Sequence, residues 1–165
     1  MSVRAKELSD RVMAGAAALA DFAQSITDAE WQSAVAPDGR AAGVIVHHVA
    51  YMYPIEVDVA RTLGRGEAVA GVTWDVVAGI NAEHAAANAH VDRATTMTLL
   101  QANSAAAAEA VRTFSDAALD GAAPLSLNGG APLTAQFMIE AHCIGHSYHH
   151  LEKLRAWKTK QAGSN

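Results

Sequence analysis

Apolar side chains recur every three or four residues over most of this sequence, which is the period of helices with one buried face. The alternation of apolar and polar residues that marks a half-buried strand is not sustained over any long run. The pattern predicts helices over residues 3–24, 41–63, 74–90, 92–114 and 134–158. The third and fourth of these are either one kinked helix or two.

Capping and turn residues indicate where these helices begin and end. Thr27-Asp28-Ala29-Glu30 matches a capping box and predicts a short helical turn, while Thr73 and Thr134 are N-cap candidates. Pro54 falls inside the second helix, and because the apolar stripe continues past it, we expect a bend rather than a break. Residues 115–132 are rich in glycine and proline, which predicts a long connection.

Together these elements predict an all-α protein, and the long connection before the last helix is of the kind that crosses a helical bundle or borders a pocket. The alanine-rich composition and the low aromatic content of 5% exclude an all-β fold. A length of 165 residues suits one domain. We therefore expect residues 1–165 to form a single domain, with a short disordered tail from about residue 160.

Charge and cysteine content narrow the choice of partners and compartment. Seventeen acidic against twelve basic residues give a formal net charge of −5, so the chain lacks the cationic surplus that nucleic-acid binding requires. Charged residues interrupt the N-terminal segment, which predicts neither a signal peptide nor a membrane span. The single cysteine, Cys143, cannot form an internal disulfide. We expect a cytoplasmic protein that binds neither nucleic acid nor membrane.

Histidine is the unusual residue of this composition, with eight copies, several of them clustered near the C-terminus. On a helical wheel with about 100° per residue, His48 falls in the middle of the apolar stripe of the second helix. His146 and His150 stand one turn apart on the apolar face of the last helix, so both imidazoles can reach one ion. The spacing therefore indicates a divalent metal site formed by His48, His146 and His150, with at least one coordination position open for water or substrate.

Other interpretations of the histidines stay open at this point. Three separate core histidines, each hydrogen-bonded to a neighbour, would give the same pattern. His142 stands four residues before His146 and could replace one of the three, while Cys143 would close the site if it served as a fourth ligand. His47 and His149 fall on polar sectors of their helices and are predicted to face solvent.

The third helical segment places polar residues on its apolar face. Asn81 and His84 share a sector of about 60° with Val77 and Ile80. Buried amides and imidazoles need partners, so the two polar residues either satisfy one another and nearby backbone or line a pocket. In the second case Asn81 and His84 are candidate catalytic residues that orient substrate or shuttle a proton.

Several segments together resemble the DinB-like superfamily of metal-binding four-helix proteins. They are Asp38-Gly39-Arg40, Val46-His47-His48-Val49-Ala50, Asn81-Ala82-Glu83-His84-Ala85, and Ile144-Gly145-His146 followed by His150 and Leu154-Arg155-Ala156. The resemblance covers residues 31–157 and implies metal ligands at His48, His146 and His150, the same three that the wheels select. It also implies a four-helix bundle with a long crossover, and a homodimer.

Characterised members of this superfamily include transferases and isomerases that use low-molecular-weight thiols such as bacillithiol or mycothiol, with zinc or nickel as the metal. The resemblance therefore implies a metal-dependent enzyme. Its open three-histidine site would activate a thiol or water for transfer or isomerisation on a small electrophilic substrate. The alternative hypothesis is a noncatalytic module that binds a small ligand or a metal in the same pocket.

Overall fold

Four long helices supply most of the buried side chains. The structure is a computed structural model that describes residues 2–163. In chain order the helices are α1 (Val3–Ser25), α2 (Asp28–Trp31), α3 (Ala42–Gly64), α4 (Trp74–Ala87), α5 (Arg93–Arg112), α6 (Asp116–Asp120), α7 (Ala135–Met138) and α8 (Gly145–Ala162). Two short strands, β1 (Ala122–Pro124) and β2 (Pro132–Thr134), pair antiparallel with Ala123 opposite Leu133. The bundle consists of α1, α3, α5 and α8, as the sequence predicts.

Most predicted helix ends are confirmed by their caps. The Thr27 side chain accepts from the Glu30 backbone N–H, and the Glu30 carboxylate accepts from the Thr27 N–H at 2.8 Å, which completes the capping box. Thr73, Asp92 and Thr134 each accept a backbone N–H from the residue three positions later. Because Asp92 caps α5 separately, the third and fourth predicted segments are two helices.

Two features differ from the sequence prediction. The long connection is not wholly irregular, since it contains α6, the β1–β2 pair and a 3-10 turn at Ser126–Asn128. The prediction of a disordered tail from about residue 160 is wrong up to Ala162, because α8 continues to that residue. The end of the predicted tail, Ser164 and Asn165, lies outside the described residues.

The four long helices form two parallel pairs, α1 with α8 and α3 with α5. Arg4 near the start of α1 donates to the Gln136 side chain of α7, and at the far end Lys158 of α8 donates to Glu30. Arg93 at the start of α5 donates to the Ala23 carbonyl near the end of α1, so α5 is antiparallel to α1.

The long crossover therefore lies between α3 and α5. Gly64 at the end of α3 lies beside Ala118 and Gly121, at the end of the bundle where α5 stops, whereas α5 begins at the opposite end. Residues 65–92, which include α4, span that distance, while residues 113–134 stay at one end. The prediction of a long crossover before the last helix is wrong, because α5 and α8 are antiparallel and are joined at the same end.

The core lies between the inner faces of the four long helices. Its largest fully buried side chains come from all four and from the segments between α5 and α8, and they include Val12, Leu19, Ile45, Tyr53, Leu63, Leu100, Leu119, Ile139, Leu151 and Leu154. Within residues 2–163, none of the helices has both the length and the apolar character that crossing a bilayer requires.

Pro54 is accommodated within α3 by a side chain from α5. A proline at this position has no N–H to donate to the carbonyl of Ala50, one turn earlier. The Asn103 side-chain amide donates to that carbonyl at 2.9 Å instead. The helix therefore continues through Pro54 to Gly64, and the freed carbonyl becomes a contact that holds α3 against α5.

Replacing Asn103 with alanine should destabilise the fold by roughly 1–2 kcal/mol, because the Ala50 carbonyl loses its partner. In a Pro54→Ala background the cost should be smaller, since residue 54 then donates to Ala50 itself. Urea denaturation of the four proteins measures the difference. Gln101→Ala, an exposed change on the same helix, is the control and should have little effect. An equal cost of Asn103→Ala in both backgrounds would contradict this account of Pro54.

Candidate metal centre

Three histidine rings meet where α3 packs against α8. His48 comes from α3, and His146 and His150 come from the first two turns of α8. One ring nitrogen of each lies within 4.8 Å of a ring nitrogen of the other two. The centroid of the His48 ring is 4.9 Å from that of His146 and 5.5 Å from that of His150. The three residues thus converge as the helical wheels predict, while their role as metal ligands stays a prediction.

Burial keeps these rings in their neutral form. His48 and His150 are only 4% and 5% exposed. Burial, with the nearby His146 as the second cause, lowers the pKa of His48 to about 3 and that of His150 to about 2. Neutral imidazole is the form that binds a metal ion, so at neutral pH both rings are ready to act as ligands.

The buried Nδ1 atoms of His48 and His150 have no hydrogen-bond partner among the described residues. Independent core histidines would each be satisfied by a neighbour, because an unpaired buried nitrogen costs roughly 1–3 kcal/mol. Two of the three rings therefore do not fit that interpretation. Three imidazoles whose rings lie this close together are a donor set that suits a divalent ion such as zinc or nickel.

A buried carboxylate orients the third ring. Glu56 is 3% exposed, and one of its oxygens lies 2.7 Å from Nδ1 of His146. A carboxylate oxygen can only accept a hydrogen bond here, so Nδ1 of His146 is the donor. Nε2 is then the ring nitrogen of His146 that is left for a metal ion. The sequence analysis missed Glu56. The available signal was an acidic residue two turns after His48 in an otherwise apolar part of the second helix.

The three rings border a cavity of about 660 Å³, a size typical of small-molecule sites. Its walls come from α3, from the crossover that contains α4, from the connection between α5 and α7, and from the helical stretch that contains α7 and α8. Most of the lining is apolar and includes Met52, Ile55, Val59, Val77, Leu125, Leu127 and Met138. Asn81 lies on this wall, as its predicted substrate-orienting role requires.

His142 and Cys143 lie outside the three-histidine group among the described residues. Both belong to a π-helical segment, Ile139–Ile144, which joins α7 to α8 and has more residues per turn than an α-helix. His142 is therefore not stacked one turn before His146, although it lines the cavity. Cys143 is fully buried, and burial raises the pKa of its thiol well above the usual range, which disfavours the thiolate form that binds metals.

His84 lies behind His48 and is not among the described residues that line the cavity. Its ring centroid is 5.5 Å from that of His48, and its Nε2 is 2.8 Å from Nδ1 of His47. The prediction that His47 faces solvent is wrong, because the His84 contact from α4 leaves it half-buried. His149 is exposed, as predicted. Burial, followed by the charges of His47 and Arg40, lowers the pKa of His84 to about 4, so its ring is neutral at pH 7.

The face of α4 that the sequence predicts to be buried is mostly open. His84 is the one buried residue of this helix, while Trp74 and Ile80 are 67% and 43% exposed. Trp74, Val77 and Ile80 line the cavity instead of packing against another helix. The apolar periodicity of α4 therefore corresponds to a cavity wall, which sequence alone does not distinguish from a helix interface.

A buried hydrogen bond fixes α3 against α8 beside the histidines. The Tyr53 hydroxyl and the Ser147 hydroxyl are 2.6 Å apart, and the two residues are 1% and 0% exposed. Ser147 follows His146 directly in the chain. The bond therefore sets the distance between the two helices that provide the rings.

Breaking this bond should cost stability through the hydroxyl that remains. Tyr53→Phe and Ser147→Ala each leave one buried hydroxyl without a partner, and each should cost roughly 1–3 kcal/mol. The double variant should cost clearly less than the sum of the two, which a double-mutant cycle in urea measures. Tyr148→Phe, on an exposed neighbour, is the control. Strictly additive costs would mean that the two hydroxyls do not depend on each other.

Comparisons with known proteins place this bundle in a family. The family model of the DinB superfamily matches residues 13–154. Among curated proteins, none matches the chain significantly. Among solved structures, the chain is similar to YfiT from Bacillus subtilis, described as a probable metal-dependent hydrolase with an unusual four-helix bundle topology.

The TM-score of the YfiT match is 0.76 at 14% sequence identity, and the match covers 98% of this chain and 90% of YfiT. Similarity at this level of identity shows a shared fold. The family match spans most of the described bundle, from the middle of α1 to the second half of α8. The chain therefore belongs to the DinB superfamily.

Proposed function

We propose that this protein is a metal-dependent enzyme in which His48, His146 and His150 hold one divalent ion, zinc or nickel, at the edge of the cavity. The observation that carries the proposal is the convergence of three imidazoles, two of them buried and neutral, on a cavity large enough for a small molecule. Three protein ligands leave a coordination position for a reacting group. When bound, a divalent ion supplies Lewis acidity, which lowers the pKa of a water or thiol that enters that position.

The surrounding residues have distinct tasks in this proposal. Glu56 holds the His146 ring in one tautomer and one orientation, through the 2.7 Å contact with Nδ1. The Asn81 side chain, on the cavity wall, offers an amide donor and an acceptor that orient the substrate. His84, supported by His47, contacts the His48 ring and is the candidate to take up or release a proton.

Water and a low-molecular-weight thiol are the two nucleophiles that this site would serve. The fold similarity to YfiT, a probable metal-dependent hydrolase, supports hydrolysis. The thiol-dependent members of the DinB superfamily support transfer or isomerisation on a small electrophile. We favour hydrolysis, and treat thiol transfer as the second use of the same centre. A cytoplasmic homodimer that acts on a small molecule remains part of the proposal.

Replacing a ligand should remove the ion. His150→Ala is expected to lower the affinity for zinc or nickel by more than about 100-fold, because one of three protein ligands is lost. Metal analysis of the purified proteins and competition with a chromogenic chelator measure the change. His149→Ala removes the adjacent, exposed imidazole and should leave metal content unchanged. Full metal occupancy in His150→Ala would reject the proposed centre.

The same pair of variants tests the activity. The metal-loaded protein should hydrolyse members of an ester, amide and lactone panel without added thiol, or convert epoxides, halides and isothiocyanates only with thiol. Either activity should disappear in His150→Ala and persist in His149→Ala. A protein that binds metal at full occupancy but turns over neither panel would favour the noncatalytic binding module.

The carboxylate of Glu56 should strengthen metal binding through its hydrogen bond to the His146 ring. Glu56→Gln keeps a hydrogen-bond acceptor for His146 but loses the negative charge, and should weaken zinc affinity by roughly 10- to 100-fold. Glu140→Gln is the matched control, because Glu140 pairs with Arg11 on the outer side of the bundle. Zinc competition titrations on folded proteins compare the two. Equal effects of the two substitutions would show that Glu56 does not act through His146.

A further inference from the structure

The cavity has two chemically different ends, with the three histidines between them. α3 and α8 run antiparallel, since His48 lies near both histidines of α8 while Glu56, two turns later, contacts His146. Residues before His48 on α3 therefore share one end with residues after His150 on α8. Residues after His48 share the other end with residues before His146.

The first end is cationic. Arg40 precedes α3 and lines the cavity, and so does Lys153, about one turn after His150. Arg40 donates from Nε and Nη2 to the two carboxylate oxygens of Asp38, at 2.6 and 2.7 Å. Its remaining terminal nitrogen, Nη1, is buried and has no partner within the described residues. Lys153 has neither a hydrogen bond nor an ion pair there.

The second end is apolar. Met52, Ile55 and Val59 follow His48 along α3 at helical spacing, and Met138 precedes His146 on the other side. Leu125 and Leu127, from the connection between α5 and α7, close this part of the wall. Glu56 is the acidic residue nearest to this apolar end, and its carboxylate is already hydrogen-bonded to His146.

This distribution contrasts with the charge of the whole chain. The formal net charge is −5, yet the cavity presents two cations against two carboxylates, and both carboxylates have partners. Unpaired donors on Arg40 and Lys153 are therefore available to an anion, in a partly enclosed setting where charged hydrogen bonds are strong. The planar guanidinium of arginine matches the geometry of a carboxylate, and the Lys153 ammonium adds a second positive charge at the same end of the cavity.

We propose that the substrate is a small amphipathic anion, a carboxylate attached to an apolar chain, whose carboxylate is held by Arg40 and Lys153. Its apolar part lies along Met52, Ile55 and Leu127, so the atoms between head and tail face the three histidines. The assignment of the reacting position rests on the proposed function, whereas recognition of the carboxylate by Arg40 and Lys153 does not require it.

The experiment compares octanoate with its neutral isostere octanamide, by calorimetric titration of the full-length, zinc-loaded protein. Octanoate should bind at least about tenfold more tightly, which corresponds to roughly 1.4 kcal/mol. Lys153→Gln should weaken octanoate binding several-fold and leave octanamide binding unchanged. Lys160→Gln is the matched control, because Lys160 lies two turns further along α8 and is not among the described residues that line this cavity. Arg40→Gln, with thermal melting to check folding, is the second variant.

Three results with the zinc-loaded protein would overturn the inference. They are binding of neither probe below about 10 mM, equal affinity for octanoate and octanamide, and equal effects of Lys153→Gln and Lys160→Gln. Repeating the titration after chelation separates the cationic end from the ion. A preference for octanoate that vanishes with the metal would assign the carboxylate to the ion and reject our proposal. A persistent preference in a protein that binds no zinc would support the carboxylate site and reject the proposed metal centre.

Discussion

The antiparallel contact between α3 and α8 is the constraint on which the rest of this molecule depends. It brings His48 within reach of His146 and His150 and places Glu56 against the outer nitrogen of His146. The Tyr53–Ser147 hydrogen bond fixes the separation of the two helices beside these rings. Because α3 lies parallel to α5, residues 65–92 cross from one end of the bundle to the other, and this crossover, through α4, also supplies part of the cavity wall.

Grouping these polar side chains in the bundle has an energetic cost. Several imidazoles and a carboxylate are removed from water, and three imidazole nitrogens, Nδ1 of His48, His84 and His150, are left without a partner in the described residues. Groups of this kind are destabilising unless something satisfies them. The depressed pKa values of His48 and His150 express the same cost, since burial favours the uncharged ring. An arrangement that is unfavourable for folding but suited to a cation is what a functional site is expected to show.

Sequence periodicity predicted the ligand candidates because each lies in a regular α-helix. His48 lies in α3, and the four-residue spacing of His146 and His150 falls entirely within α8. The wheel failed for His142, which belongs to the π-helical segment, where the angle per residue differs. Glu56 was missed because a wheel that searches for apolar positions treats an acidic residue as outward-facing. No periodic signal identifies its partner on another helix.

The contact between His47 and His84 shows a second limit of sequence reasoning, because it depends on where α4 packs. Apolar residues of α4 face a cavity, and its one buried residue, His84, is polar. A helix with so few buried apolar contacts belongs to the less stable part of a fold. The His47–His84 pair therefore ties α4 to α3, and the His84 ring also contacts the His48 ring. The position of the cavity wall and the orientation of a candidate ligand thus depend on the same side chain. Movement of α4 to admit a substrate would act on His48 directly.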